Sequence, residues 1–368
     1  MRLLVTALVL GIICEATASA DTRLRWCTMS AEEHNKCSNW TSVACIQAGS
    51  SVECIQKITL AEADAVVLHS ASIIGAGKCG LVPVMAEYYD PENLAPCMDS
   101  AAITKPYVYI VALVKDPTLT WDNLKGKKVC YTALERTAWN IPMGLLITQE
   151  KIKNCTLYNS TYFGESCAPG ADPDSKLCSL CIGQGSSSEP GKDKCAFNTN
   201  ERYFGYSGAF RCLTEKGDVT FLKHGTVFEN TDGKSQEEWA TGLRSNDYRL
   251  LCTNGTQVDV TDFKTCHLAT VPTRAVVSRA EMRDQVQQFL KEQLLKHGRG
   301  GSEEGSFAMF QSTQYGHKHL LFIDSTQCLI DVPTTDYREF LGEKYVTAME
   351  GLYSCVPSEI NAWCQAPH

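Results

Sequence analysis

Nineteen cysteines and eight histidines carry the densest chemistry in this 368-residue chain. Cys178-Ser-Leu-Cys181 has the spacing of a redox dithiol or half a zinc site, but either needs a reducing compartment or a second ligand pair. In a cysteine-crowded chain the same spacing reads as structural disulfides. His317-Lys-His319 offers two imidazoles two residues apart and no third ligand. Metalloprotease, nucleophile-elbow, phosphate-loop and EF-hand signatures are absent from the sequence. No nucleophile, base and acid assemble, and the expectation is a protein that is not an enzyme.

The elements that must position these residues alternate. Leu24–Cys27 reads as a strand, and Ser30-Ala-Glu-Glu as a capped helix start. Ala65–Leu68, Tyr107–Val114 and Lys128–Tyr131 read as strands, and a helix is expected from Thr132 to Leu146. From Cys155 to Asn200 the texture turns irregular, rich in Gly, Ser, Pro and Asp, with Cys167, Cys178, Cys181 and Cys195 close together. Regular structure is expected again from Gly208, and an amphipathic helix over Glu281–Lys296 shows Met282, Val286, Phe289 and Leu294 on one face. The pattern predicts an α/β fold with mixed sheets.

Composition sets the compartment. A 44% apolar and 21% charged chain is globular, and its net charge of −8 excludes a phosphate-backbone binder. Arg2, the apolar run Leu3–Cys14 and Ala18-Ser19-Ala20 read as a signal peptide over residues 1–20, too short to span a membrane. Its removal takes Cys14 and leaves an even set of cysteines. The sequence is thus read as secreted and disulfide-bonded, with glycosylation sequons at Asn39, Asn154, Asn159 and Asn254.

Six strings then point to one family. They are Ala76-Gly-Lys-Cys-Gly-Leu-Val-Pro-Val84, Asn123-Leu-Lys-Gly-Lys-Lys-Val-Cys130, Trp139-Asn-Ile-Pro-Met-Gly144, Cys167-Ala-Pro-Gly170, Tyr203-Phe-Gly-Tyr-Ser-Gly-Ala-Phe-Arg-Cys212 and Cys266-His-Leu-Ala269. In this order they resemble a transferrin lobe from about Trp26 onward, and the length suits one lobe. The resemblance implies two α/β subdomains around a cleft, a periplasmic-binding-protein-like architecture. Residues 21–106 plus 273–368 would form the first subdomain and 107–272 the second, with crossings near Tyr107–Val114 and Ala269–Val277. It also implies the pairs Cys27–Cys54, Cys37–Cys45, Cys79–Cys364, Cys97–Cys328, Cys130–Cys212, Cys155–Cys355, Cys167–Cys181, Cys178–Cys195 and Cys252–Cys266.

A ferric transferrin lobe uses one Asp, two Tyr and one His plus a carbonate, because Fe³⁺ is a hard cation that prefers anionic oxygen donors. At those positions this chain carries His69, Val108, Tyr206 and Arg274, so only Tyr206 is retained. Tyr107 and Tyr109 flank Val108, but strand alternation turns both to the opposite face. Arg274 puts a permanent positive charge where the family has a neutral donor. The resemblance therefore implies loss of ferric binding, with no bound cofactor and a cleft that stays open or becomes locked by ion pairs.

Thr132 and Arg136 occupy the carbonate-holding positions, although the family glycine between Ala138 and Trp139 is missing. Two readings stand: an anion site, or Thr132 capping the helix with Arg136 paired to a carboxylate such as Glu135 or to a partner across the cleft. The resemblance is closest to a single-lobe, melanotransferrin-like branch of the fish otolith matrix. It implies a structural role in a calcium carbonate biomineral matrix, needed for mineral growth and for assembly with a collagen-like partner. Weak calcium or carbonate association belongs to that reading, with Asp172, Asp174, Glu237 and Glu238 as millimolar calcium candidates. Neither nucleic acid nor membrane is an expected partner. The alternative is a small-anion or other non-ferric binder that uses Thr132, Arg136, Arg274 and Tyr206.

Overall fold

A computed structural model describes residues 22–98, 107–153, 155–156, 162–184, 191–355 and 363–364. The expected signal peptide and the sequons at Asn154 and Asn159 lie outside them. In chain order the first part contains β1 (Leu24–Thr28), α1 (Ala31–Ser38), β2 (Val43–Gln47), α2 (Ser51–Thr59), β3 (Ala65–Leu68), α3 (Ser70–Lys78), β4 (Leu81–Tyr88) and α4 (Ala95–Met98). Next come β5 (Tyr107–Val114), β6 (Val129–Cys130), α5 (Thr137–Thr148), β7 (Ser166–Cys167), α6 (Gly205–Glu215), β8 (Val219–Lys223), α7 (Thr226–Glu229), β9 (Arg249–Leu251), β10 (Gln257–Asp259) and β11 (Ala269–Pro272). The chain ends with β12 (Ala275–Arg279), α8 (Arg283–His297), β13 (Cys328–Asp331), α9 (Tyr337–Leu341) and α10 (Glu343–Tyr353).

Two mixed sheets result. The first runs β13-β4-β12-β3-β1-β2, with β1 parallel to β2 and β3 and with β12 antiparallel to both β3 and β4. The second runs β10-β9-β5-β8-β6-β7, and β11 pairs antiparallel with the first half of β5. Parallel neighbours need crossover helices, so helices cover both faces of each sheet. Alternation along the strands divides the core accordingly. Val66 and Leu68 of β3 pack with Ile55, Ile58 and Ile73 of α2 and α3, while Ala65 and Val67 pack with Trp26, Trp40, Val286 and Phe322 on the other side. On β5, Ile110, Ala112 and Val114 share the layer that holds Trp139 and α10, whereas Val111 and Leu113 meet Phe210 of α6. A period of two therefore decides which layer each strand residue enters.

Buried charge orders the first sheet. Asp64 is nearly fully buried, and its carboxylate accepts from Arg25 Nη2 (2.6 Å), Arg25 Nε (3.0 Å), the Arg25 amide (2.9 Å) and Arg279 Nη2 (2.9 Å). Burial pushes the carboxyl upward, but these donors outweigh it and hold Asp64 below the usual carboxylate range. Lys36 is wholly buried, and its ammonium donates to the carbonyls of Met309 (2.7 Å) and Leu320 (3.0 Å), fixing the 307–322 segment against α1.

The structure holds nine disulfides: Cys27–Cys54, Cys37–Cys45, Cys79–Cys364, Cys97–Cys328, Cys130–Cys212, Cys155–Cys355, Cys167–Cys181, Cys178–Cys195 and Cys252–Cys266. These are the pairs the resemblance implies. Cys178 and Cys181 thus bond to different partners, and their thiolates are not available to a metal.

Several boundaries differ from the sequence reading. The helix expected from Thr132 begins at Thr137, with Arg136 rather than Thr132 at its N-cap. Glu135 takes a left-handed conformation (φ 57°) just before it, which breaks the helical path. The strand expected at Lys128–Tyr131 shortens to Val129–Cys130, α6 starts at Gly205 rather than Gly208, and the helix expected from Glu281 starts at Arg283 after one 3₁₀ turn. That α8 helix buries Val286, Leu290, Gln293 and His297, while Met282, Phe289 and Leu294 pack at the edge of the same core. No helix among the described residues is long and apolar enough to cross a membrane.

Candidate functional site

Three of the four expected ligand positions, His69, Val108 and Arg274, lie on or beside the strands near the crossing between the two sheets. His69 ends β3 and forms the N-cap of α3. Arg274 lies in the two-residue link between β11 of the second sheet and β12 of the first. Because Ala275 pairs with Leu68, the next residues along, Arg274 and His69, adjoin at the ends of these two interior strands. Val108 on β5 pairs with Val271 of β11. Ser70 Oγ donates to the Pro272 carbonyl at 2.6 Å, which ties the start of α3 to the crossover.

The His69 residue is open to solvent, yet neighbouring chain crowds its imidazole. That crowding, and then the Arg274 charge, hold it below the usual histidine range. Its Nε2 lies 3.2 Å from Ser72 Oγ. The Arg274 side chain makes no hydrogen bond or ion pair among the described residues. Its amide donates to the Tyr89 hydroxyl at 3.3 Å, and its carbonyl accepts from the Glu87 amide at 2.9 Å.

Tyr206, Thr132 and Arg136 belong to the other sheet. Tyr206 sits in the first turn of α6, and the amide of the preceding Gly205 donates to the Thr132 carbonyl at 2.8 Å. Burial holds the Tyr206 phenol above its usual range, and the Arg136 charge pulls it partly back. Lys223 lies 5.6 Å from the centre of the Tyr206 ring, a second cation beside it. Arg136 neither pairs with Glu135 nor bonds any described carboxylate. Its guanidinium instead stacks over Phe197, 5.0 Å from the ring centre. Stacking uses the face of the guanidinium and leaves its N–H edge toward solvent.

Tyr109 packs against His224, Phe263 and His267 with ring centres 5.3, 5.2 and 5.0 Å away, on the strand face opposite Val108. It points away from the relict ligand positions. The Tyr107 side chain is outside the described residues. His317 is exposed, and His319 Nδ1 accepts from the Asp324 amide at 3.1 Å, so the two imidazoles form no metal pair. Asp172 and Asp174 are exposed on one loop, and Glu237 and Glu238 are exposed at a 3₁₀ turn elsewhere in the chain. Among the described residues, groups of three metal-type side chains occur only around disulfide cysteines. Asn39 and Asn254 are both exposed. Asn39 Nδ2 is engaged with the Asn35 carbonyl, whereas Asn254 Oδ1 accepts from Thr256 Oγ1 (2.7 Å), leaving Nδ2 outward.

Sequence reasoning missed four neighbours of the site. Phe197 under Arg136 comes from the irregular cysteine-rich region, where no periodicity places a side chain. Lys223 reaches Tyr206 from β8. Glu87 and Tyr89 stand behind Arg274, and the only linear hint was a glutamate inside the apolar run of β4.

Two mixed sheets, linked where the chain crosses from β11 to β12 and covered by helices, define a mixed α/β fold. The transferrin family model matches residues 24–354. Relatives include serotransferrin-A of Xenopus laevis, 48% identical over 94% of this chain and 49% of its own length. Human lactotransferrin is 43% identical over 95% and 50%, and the mouse inhibitor of carbonic anhydrase 42% over 93% and 49%. This chain belongs to the transferrin family, and it spans about half the length of the curated relatives it matches.

Proposed function

We propose that this chain is a secreted, non-enzymatic transferrin lobe that has lost ferric ligation and serves as a structural component of an extracellular calcium carbonate biomineral (otolith) matrix. There it would support mineral growth and matrix assembly with a collagen-like partner. Arg274 is the observation that carries the loss of iron. A permanent cation stands at a ligand position, Val108 offers no donor, and His69 brings no negative charge. These residues do not fit a ferric ion.

The structural half of the reading is supported by nine disulfides, which suit a durable extracellular component. The net charge of −8 and the exposed carboxylates suit weak contact with calcium-bearing surfaces. The mineral context rests on the resemblance to the otolith-matrix branch. A second reading, a small-anion binder, is favoured by one observation: the N–H edge of Arg136, at the start of α5, has no hydrogen-bond or ion-pair partner among the described residues.

The test is an iron titration of the deglycosylated protein in bicarbonate buffer, paired with calcium carbonate crystallisation. The expected result is no tyrosinate-to-iron absorbance, together with altered crystal growth at low protein concentration. A strong band would return the chain to the iron carriers. Saturable bicarbonate binding lost in Arg136→Ala, with no effect on crystals, would favour the anion reading.

A further inference from the structure

We propose that Asn254-Gly255 is a self-modifying turn. Wherever no glycan occupies Asn254, the Gly255 nitrogen attacks its carboxamide and leaves aspartate or isoaspartate at the tip of the β9–β10 hairpin. Asn254 is the only asparagine of the chain followed by glycine. Leu251 of β9 pairs with Gln257 of β10, and the Cys252 amide donates to the Thr256 carbonyl at 2.9 Å. Residues 253–255 thus form a three-residue loop, and Gly255 takes the left-handed conformation (φ 86°) that such loops require. The Cys252–Cys266 disulfide anchors its base.

The side chain at the tip is set up for that chemistry. Asn254 Oδ1 accepts from the Thr256 amide at 3.1 Å and from Thr256 Oγ1 at 2.7 Å. A backbone N–H only donates, so it is the carboxamide oxygen that faces Thr256. Both donors sit on the atom where negative charge collects as a nucleophile adds to Cγ. Nδ2, the leaving nitrogen, makes no hydrogen bond among the described residues, and the residue is exposed. The nucleophile is the next nitrogen along the chain, and glycine places no Cβ beside it. Asn39 provides the contrast. Its Nδ2 is held by the Asn35 carbonyl at 3.0 Å, and the wholly buried Trp40 follows it.

The Gly255 nitrogen gives its proton to water and bonds to Cγ. The Cγ–Nδ2 bond breaks, ammonia leaves, and a succinimide closes. Water then opens the ring. Cleavage at Cγ gives aspartate, and cleavage at the backbone carbonyl gives isoaspartate, so the net change is water in and ammonia out. The Gly255 amide must first release the Cys252 carbonyl, which it meets at 3.0 Å, and this makes the native turn slower than unfolded chain. Either product adds a negative charge, and isoaspartate adds a methylene to the backbone of the tip. A glycan would be joined to Nδ2, the atom expelled, so the two fates exclude each other.

The experiment follows the full, disulfide-bonded chain, produced without N-glycosylation, during incubation at pH 8.5. Enzymatic deglycosylation is avoided because it converts the asparagine to aspartate by itself. Peptide mass spectrometry reads amide-to-acid conversion at each asparagine, and fragmentation that separates isoaspartate from aspartate reads the product. The expected result is conversion at Asn254 ahead of every other asparagine, with isoaspartate present. Thr256→Val should slow it about tenfold, the worth of one hydrogen bond to the reacting oxygen. Thr256→Ser should keep the parent rate, and the valine effect should vanish in reduced, denatured chain. Conversion no faster at Asn254 than at Asn39, aspartate alone as product, or equal rates in the folded parent and Thr256→Val would each overturn the proposal.

Discussion

On the proposed reading, the two sides of the site depart from a ferric ligand set to different extents. On the first, imidazole and guanidinium, at His69 and Arg274, stand where that reading puts ligands. On the second, Tyr206, Thr132 and Arg136 keep their types, and α5 and α6 still bring them together. Yet the frame beneath the altered side is intact. Asp64 still ties β1, β3 and β12 through Arg25 and Arg279, and Ser70 still holds the crossover. Ligand chemistry and scaffold have separate physical supports here. A few side chains at strand ends can change without disturbing the buried layers that orient them.

The largest effect should come from rebuilding the first side. A triple variant His69→Asp, Val108→Tyr, Arg274→His places the missing donors on an unchanged frame. It should gain the tyrosinate-to-iron absorbance in bicarbonate and bind iron orders of magnitude more tightly than the parent, while each single change does not. No band in a folded triple variant would show that the second side has also lost its geometry, as the missing glycine before Trp139 and the left-handed Glu135 would allow.

Next in size is the frame itself. Asp64→Ala leaves two arginines around an empty buried site and should cost about 3–5 kcal/mol in denaturant unfolding. Because Asp64 is held below its usual range, its contribution is present above the unfolded carboxyl value and is lost as pH falls through the folded one. A loss under about 1 kcal/mol would make this pair a surface ornament of the kind that contributes little.

The smallest effect belongs to the second side. Phe197→Ala removes the platform under Arg136 and should cost about 0.5–1 kcal/mol. It should also change bicarbonate binding if the anion reading holds, and an unchanged isotherm would separate Phe197 from that site.

Much of this was legible in the sequence. The two sheets follow from strands legible as apolar, partly β-branched runs at Ala65–Leu68 and Tyr107–Val114, whose side chains must alternate with a period of two. The outward turn of Tyr109 follows from the same period of two. The cysteine pairs could be written only through family resemblance, since spacing alone leaves connectivity open. The start of α5 was misplaced because Thr132 has good capping chemistry, whereas the left-handed Glu135 ends any helix path three residues later. The ring under Arg136 was not legible, because Phe197 comes from irregular chain and leaves no local pattern.

The disulfide topology also sets how the protein would bear tension. Cys27–Cys54 short-circuits the N-terminal stretch, and Cys79–Cys364 bridges a separation of 285 residues. Pulled between Cys27 and Cys364, the chain could pay out only the stretch from Cys54 to Cys79, about 90 Å of slack at full extension. Everything enclosed by the long bridge would be shielded from the load. A lobe wired in this way is a link of bounded extension, able to pass force from one side of a network to the other with most of its fold kept out of the load path.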